Sequence, residues 1–150
     1  MNSSSGGRCR RPCPRPDDGR VTFETRQLSS VPNVVTPNGS EVRIFCGLSC
    51  GSMAQFSLSP GAVSKEVVHR TVEEVWCFIA DRGRMWRQLE GCDEIVEVGP
   101  GASVSIPVGT RFQFRCDGAE KLVAVGTTML GLARRRRSLR GRLHVAPSQG

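Results

Sequence analysis

The chain has 150 residues, 38% of them hydrophobic, with 17 Gly and 9 Pro, enough apolar material for one packed domain and a sign of frequent turns. No apolar run approaches the roughly 20 residues of a membrane-spanning helix. The first twenty residues hold no hydrophobic stretch, so neither an integral membrane protein nor a secretory leader is expected, and the predicted location is cytoplasmic.

The formal charge of +7 belongs to the ends. Residues 1–20 carry five Arg against two Asp, residues 131–150 carry six Arg and no acid, and the stretch between them is slightly acidic. A basic balance of this kind points to nucleic acid only where basic residues line a folded face. Here it reaches only the termini.

In chain order, residues 1–20 are Ser, Gly, Arg and Pro with almost nothing apolar, which predicts a flexible, disordered arm. The domain spans 21–130. Within it Val42, Ile44 and Cys46 alternate with Glu41, Arg43 and Phe45, and Ala54, Phe56 and Leu58 alternate with Gln55 and Ser57 before Ser59-Pro60-Gly61. Glu74–Ala80 is apolar at both parities, which predicts a deep strand or a subunit contact, and Asp81-Arg82-Gly83 turns it into Arg84–Leu89. Ala102, Val104 and Ile106 alternate before Pro107; Phe112, Phe114 and Cys116 alternate before Asp117-Gly118, and Leu122–Val125 follows. Period two is the mark of half-buried strands. No window shows a capped apolar stripe at helical spacing. About nine short strands predict an all-β antiparallel barrel or sandwich, with an Arg-rich, solvated tail over 131–150.

Seven cysteines is an odd number, so a disulfide framework is not expected. Cys9/Cys13 and Cys46/Cys50 form two CxxxC pairs, but a structural zinc knuckle is tighter and the first pair falls in the arm, so plain thiols are the better expectation. A nucleophile elbow, a phosphate loop and a dinucleotide fingerprint are all absent from the sequence.

Two glycine-anchored segments resemble the cupin family, whose motifs read G(X)5HXH(X)3,4E(X)6G and G(X)5PXG(X)2H(X)3N. Gly61 opens the first, which then places Val67, His69 and Glu74 at the two His and the Glu, and Asp81 at the closing Gly with Gly83 two residues on. Gly101 opens the second, which places Pro107 and Gly109 in register, Phe112 at the His and Cys116 at the Asn. Strictly the resemblance covers 61–116. It implies a small antiparallel jelly-roll β-barrel, and small cupins commonly pair as homodimers.

In metal-binding cupins three His and one Glu converge on a divalent ion, and such ligands suit iron, manganese, zinc, nickel or copper. Two of these four positions are hydrocarbon here, so His69 and Glu74 are expected to hold such a metal only weakly, if at all. Gln55, Glu73, Gln113 and Cys116 are the nearby replacement ligands. The same exchanges make the interior more apolar, with Val67, His69, Glu74, Phe112, Gln55 and Phe114 as expected pocket residues and Trp76, Phe78, Met85 and Trp86 as wall, core or interface.

The leading expectation is therefore a cupin-domain protein that binds a small molecule, its metal site degenerate. Beside it stands a metal-dependent enzyme of isomerase, epimerase or dioxygenase type, with His69 and Glu74 as candidate acid and base. Nucleic-acid or acidic-partner binding through Arg8–Arg20 and Arg134–Arg142 ranks last, since no aromatic residues interleave the arginines.

Overall fold

The computed structural model describes residues 23–36 and 40–131. The expected arm over 1–20 and, past Gly131, the Arg-rich tail lie outside them. Among the described residues there are ten strands and no helix. The strands are β1 (Val34–Val35), β2 (Glu41–Leu48), β3 (Gly51–Leu58), β4 (Val67–Val68), β5 (Val72–Ala80), β6 (Gly83–Leu89), β7 (Cys92–Val98), β8 (Ser103–Ile106), β9 (Arg111–Cys116) and β10 (Leu122–Leu130).

They form two antiparallel sheets, one ordered β1-β2-β3-β10-β5-β8 and the other β4-β9-β6-β7. After β3 the chain crosses repeatedly between the sheets, so that most hydrogen-bonded neighbours are distant in sequence. β10 pairs with β3 on one side and β5 on the other, which places the last described strand in the middle of the larger sheet.

Alternation decides which side chains meet between the sheets. Leu58, Trp76, Phe78, Ile106 and Leu122 point inward from the larger sheet, and Met85, Phe112 and Cys116 from the smaller one; all are at most 2% exposed. The central indole of Trp76 meets Phe112 and Phe114 of the opposite sheet edge to face, at centroid distances of 5.8 and 5.3 Å. These contacts tie the two sheets together.

β5 has one buried face only. Glu74, Trp76 and Phe78 point inward, while Val75 and Ile79 are 44% and 50% exposed on the outer side together with Cys77. The double apolar character of 74–80 thus corresponds to a strand inside its sheet whose outer face is open.

The motif glycines answer a backbone demand. Ser59-Pro60-Gly61-Ala62, Gly99-Pro100-Gly101-Ala102 and Pro107-Val108-Gly109-Thr110 each close by an N–H···O=C bond from fourth residue to first, at 3.0, 2.9 and 3.1 Å. In each the third residue is the glycine, at φ 73°, 89° and 84°. This is the type II turn, which needs positive φ at that place. Where the family pattern has its closing glycine, Asp81 takes φ 58°. Its carboxylate accepts the Arg82 N–H at 2.7 Å and the Glu120 N–H at 2.6 Å, the local bonding that lets Asp adopt this region.

Candidate functional site

The Pro107–Thr110 turn does more than reverse the chain. The Gly109 N–H donates to the carbonyl of His69 at 2.8 Å, and β4 pairs with β9 so that Val67 stands opposite Phe112. The second motif therefore holds the first in place. Val67 and His69 share one face, as residues two apart in an extended chain do, and both line the space between the sheets.

From the larger sheet, β5 sends Glu74 and Trp76 into the same space. Glu74 is 5% exposed. Its Oε2 accepts the indole N–H of Trp76 at 3.0 Å and its Oε1 accepts the hydroxyl of Thr128 at 2.6 Å. Thr128 lies directly across from Glu74 in the β10–β5 register, as Gly126 does from Trp76. The missing side chain at Gly126 leaves room for Phe56 to stack on Trp76, with centroids 4.4 Å apart and planes at 9°.

The result is a cavity of about 310 Å³ whose apolar wall is Val42, Phe56, Val67, Trp76, Phe112 and Phe114. Its polar lining is Thr36, Ser40, Ser64, Lys65, His69 and Glu74. His69 Nε2 stands 3.7 Å from Glu74 Oε1, too far for a hydrogen bond, and the ring leans on Phe112 at 5.8 Å between centroids. The His69 side chain is 34% exposed, against 5% for Glu74, so the imidazole faces the open side and the carboxylate the buried side.

Of the six expected pocket residues, five meet here: Val67, His69, Glu74, Phe112 and Phe114. Gln55 does not join them. It has the opposite parity to Phe56 on β3 and lies on the outer face of the larger sheet, beside Glu41, Arg43 and Lys121. Trp76 is in the wall, Phe78 and Met85 are core, and Trp86 lies on the outer face of the smaller sheet, its indole donating to Asp93. Thr128 and Lys65 were not singled out by the sequence. Thr128 carries one signal, a hydroxyl continuing the inward parity of Leu122, Ala124 and Gly126, but its partner is 54 residues away.

The donor set does not fit a resident divalent ion. Among the described residues no group of three or more His, Cys, Asp or Glu side chains gathers, and both oxygens of Glu74 already accept hydrogen bonds. The substitutes are engaged elsewhere: the Gln113 amide donates to the Ser64 carbonyl at 2.7 Å and the Cys116 thiol to the Glu120 carbonyl at 3.2 Å. Glu73 stands at the opposite parity to Glu74, across from Met129. Cys46 and Cys50 are free thiols, and Cys9, Cys13 and His144 lie outside the described residues.

A larger groove of about 580 Å³ lies outside the sheets, among Phe23, Leu48, Met53 and Met129. Glu24 and Cys46 in its lining are bonded to their neighbours. Glu24 accepts the Gly47 N–H at 3.2 Å and the Arg26 guanidinium, which together hold its carboxyl below the usual range, and Cys46 donates to the Glu24 carbonyl. The arginines at 8–20 and 134–142 lie outside the described residues. Among those described, no helix is long and apolar enough to cross a membrane.

No family model matches the sequence, and no curated protein matches it. Solved structures do resemble it. An oxalate oxidase is 19% identical with a TM-score of 0.65, over 86% of this chain and 68% of that one. An oxalate decarboxylase, so described by prediction, from Thermotoga maritima is 17% identical with a TM-score of 0.53, over 72% and 99%. The cupin domain of Schizosaccharomyces pombe Cnp3 is 12% identical with a TM-score of 0.55, over 67% and 71%. Similarity at these identities is similarity of fold, and with the two antiparallel sheets and the type II turns at Gly61, Gly101 and Gly109 it makes this chain a cupin-fold protein.

Proposed function

We propose that the chain binds a small organic molecule in the cavity between its sheets, without a structural requirement for metal. The observation that carries this reading is the make-up of the cavity. Where a metal-binding cupin has two further imidazoles, Val67 and Phe112 add hydrocarbon to a wall already formed by Phe56, Trp76 and Phe114. An apolar hollow of about 310 Å³ with a few polar groups on one side suits a compact organic ligand, at the lower end of the usual size range. His69 and Glu74 then orient the ligand. The metal-dependent enzyme, and with it the oxidase and decarboxylase chemistry in the names of the neighbours, lacks support in the donor set. A metal-free proton transfer is the second reading, favoured by the 3.7 Å approach of His69 to Glu74.

Thermal-shift measurement on the whole chain tests the binding reading. A ligand at one hundred times its Kd stabilises by about 2.7 kcal/mol. Small organic molecules are expected to raise the melting temperature of the wild type and to lose that effect on Val67→Phe, which fills the cavity from β4. Hits that shift both proteins equally would refute occupation of this cavity.

A further inference from the structure

The geometry points to the class of ligand: an apolar monocarboxylic acid bound as its anion, its ring or alkyl body against Phe56, Trp76, Phe112 and Phe114 and its carboxylate beside Lys65 and His69. This rests on the small-molecule reading above and adds the charge and polarity of the occupant.

The inference follows from which polar groups of the cavity already have partners. Glu74, the one carboxylate in the lining, has its oxygens taken by Trp76 and Thr128. The Ser64 hydroxyl donates to the Lys65 carbonyl and accepts the Phe114 N–H, both at 3.0 Å. The Thr36 hydroxyl donates to the Ser40 carbonyl at 3.0 Å. Two lining side chains differ. The Lys65 ammonium is exposed at the mouth and makes no hydrogen bond or ion pair among the described residues. The His69 imidazole makes no hydrogen bond among them and comes only within 3.7 Å of Glu74. The acceptors are satisfied, and an ammonium and an imidazole remain to be met.

A cationic ligand fits this pattern poorly, because Lys65 at the mouth repels it. A neutral hydrocarbon fits the wall and leaves both nitrogen groups without a partner. A compact dianion such as oxalate would meet Lys65, but its second charge would lie against aromatic rings and near the buried Glu74, where an unpaired anion is strongly disfavoured. One negative charge at the mouth and an apolar body inside satisfy every surface of the cavity.

The test uses the full chain, with 3-phenylpropionate, its neutral analogue 3-phenylpropionamide, and oxalate as probes. Binding is read by calorimetry and by tryptophan fluorescence, to which Trp76 in the wall responds. The acid is expected to bind about five- to tenfold tighter than the amide, since a charge-assisted hydrogen bond is partly screened at an exposed lysine. Oxalate is expected not to bind. Lys65→Met keeps the hydrocarbon stem at an exposed position, so the fold is undisturbed, and it is expected to abolish the preference for acid over amide. Equal affinity for acid and amide in the wild type would overturn the anion assignment and leave the cavity reading standing. A preference that survives Lys65→Met, or oxalate binding as tightly as the acid, would overturn the placement of a single carboxylate beside Lys65. If neither the acid nor the amide binds, the small-molecule reading itself falls.

Discussion

Replacing Gly126 by Ala tests the packing on which the cavity rests. A Cβ at this position would lie 2.7 Å from Cδ1 and Nε1 of Trp76 and 2.9 Å from Cε2 of Phe56. Both rings would have to move, and the indole is closely held. Trp76 is 2% exposed and in ring contact with Phe56, Phe78, Phe112 and Phe114. In an ordinary strand interior, exchanging Gly for Ala gains roughly 0.5–1 kcal/mol by restricting the unfolded chain. Forcing a methyl group into a packed core costs about 1–3 kcal/mol. The steric cost wins, and the net loss is about 1–2 kcal/mol. For a domain of this size that is a fall in melting temperature of roughly 5–15 °C. Because the displaced ring is also the donor to Glu74 at 3.0 Å, the tryptophan emission of the native protein should change as well. Urea unfolding followed by fluorescence measures both effects. An Ala variant as stable as the wild type, with unaltered emission, would refute the claim that Gly126 is required for the Phe56–Trp76 stack.

Three further substitutions probe the site and its surroundings. Thr128→Val preserves shape and removes the hydroxyl that donates to Glu74 at 2.6 Å; with a buried carboxylate oxygen left short of a donor, a loss of about 1–3 kcal/mol is expected in the urea midpoint, with unchanged slope. The double variant Val67→His with Phe112→His places three His and one Glu at 67, 69, 74 and 112, as the cupin motif pattern has them, and stoichiometric zinc or manganese is expected to survive dialysis in it but not in the wild type; elemental analysis decides, and a folded, metal-free double variant would refute the correspondence of these positions with the pattern's ligand positions. Asp117 accepts two hydrogen bonds from Arg84, at 2.7 and 3.1 Å, and lies 2.6 Å from Arg115, and the Arg84 hydrogen bond in particular holds its carboxyl below the ordinary 3.8. A depressed carboxyl contributes stability above its unfolded value that is lost as pH falls through the folded one, so Asp117→Asn should flatten the loss of stability below about pH 4 and be weakened in effect by salt; an unchanged acid limb would count against the pairing.

Where one face of a strand is buried and the other wet, the alternation of the sequence was enough. β3, β8 and β9 all follow from their parity, and the same parity separates Gln55 from Phe56, which is why Gln55 belongs to the outer surface. The signal failed where surface positions are apolar. Val75 and Ile79 on β5 look like core and are half exposed. β7, rich in Asp and Glu, is an edge strand with most of its residues exposed, and charge at an edge guards against unwanted pairing. β1 and β4 contain two residues each, too few for any period. For the site, the motif spacing placed Val67, His69, Glu74 and Phe112, but the anchoring of Glu74 by Thr128 depends on pairing between β5 and β10, which no local pattern reveals.

The motif glycines remained readable because they serve the backbone and not the chemistry. A type II turn at Gly109 needs positive φ whatever the neighbouring side chains do, and its N–H keeps His69 beside β9 through a main-chain bond. The turn therefore sets the position of His69 independently of the side chains around it. Glu74 is a buried carboxylate, which is costly unless hydrogen-bonded. Trp76 and Thr128 supply those bonds. The indole that reaches Glu74 lies against Gly126 and stacks on Phe56. The apolar wall and the satisfied carboxylate thus form one unit, in which the residue that widens the hydrophobic surface is also the residue that keeps the acid bonded. A cavity built this way has its own acid already engaged and directs its unbonded nitrogen groups, Lys65 and His69, toward whatever enters from the mouth.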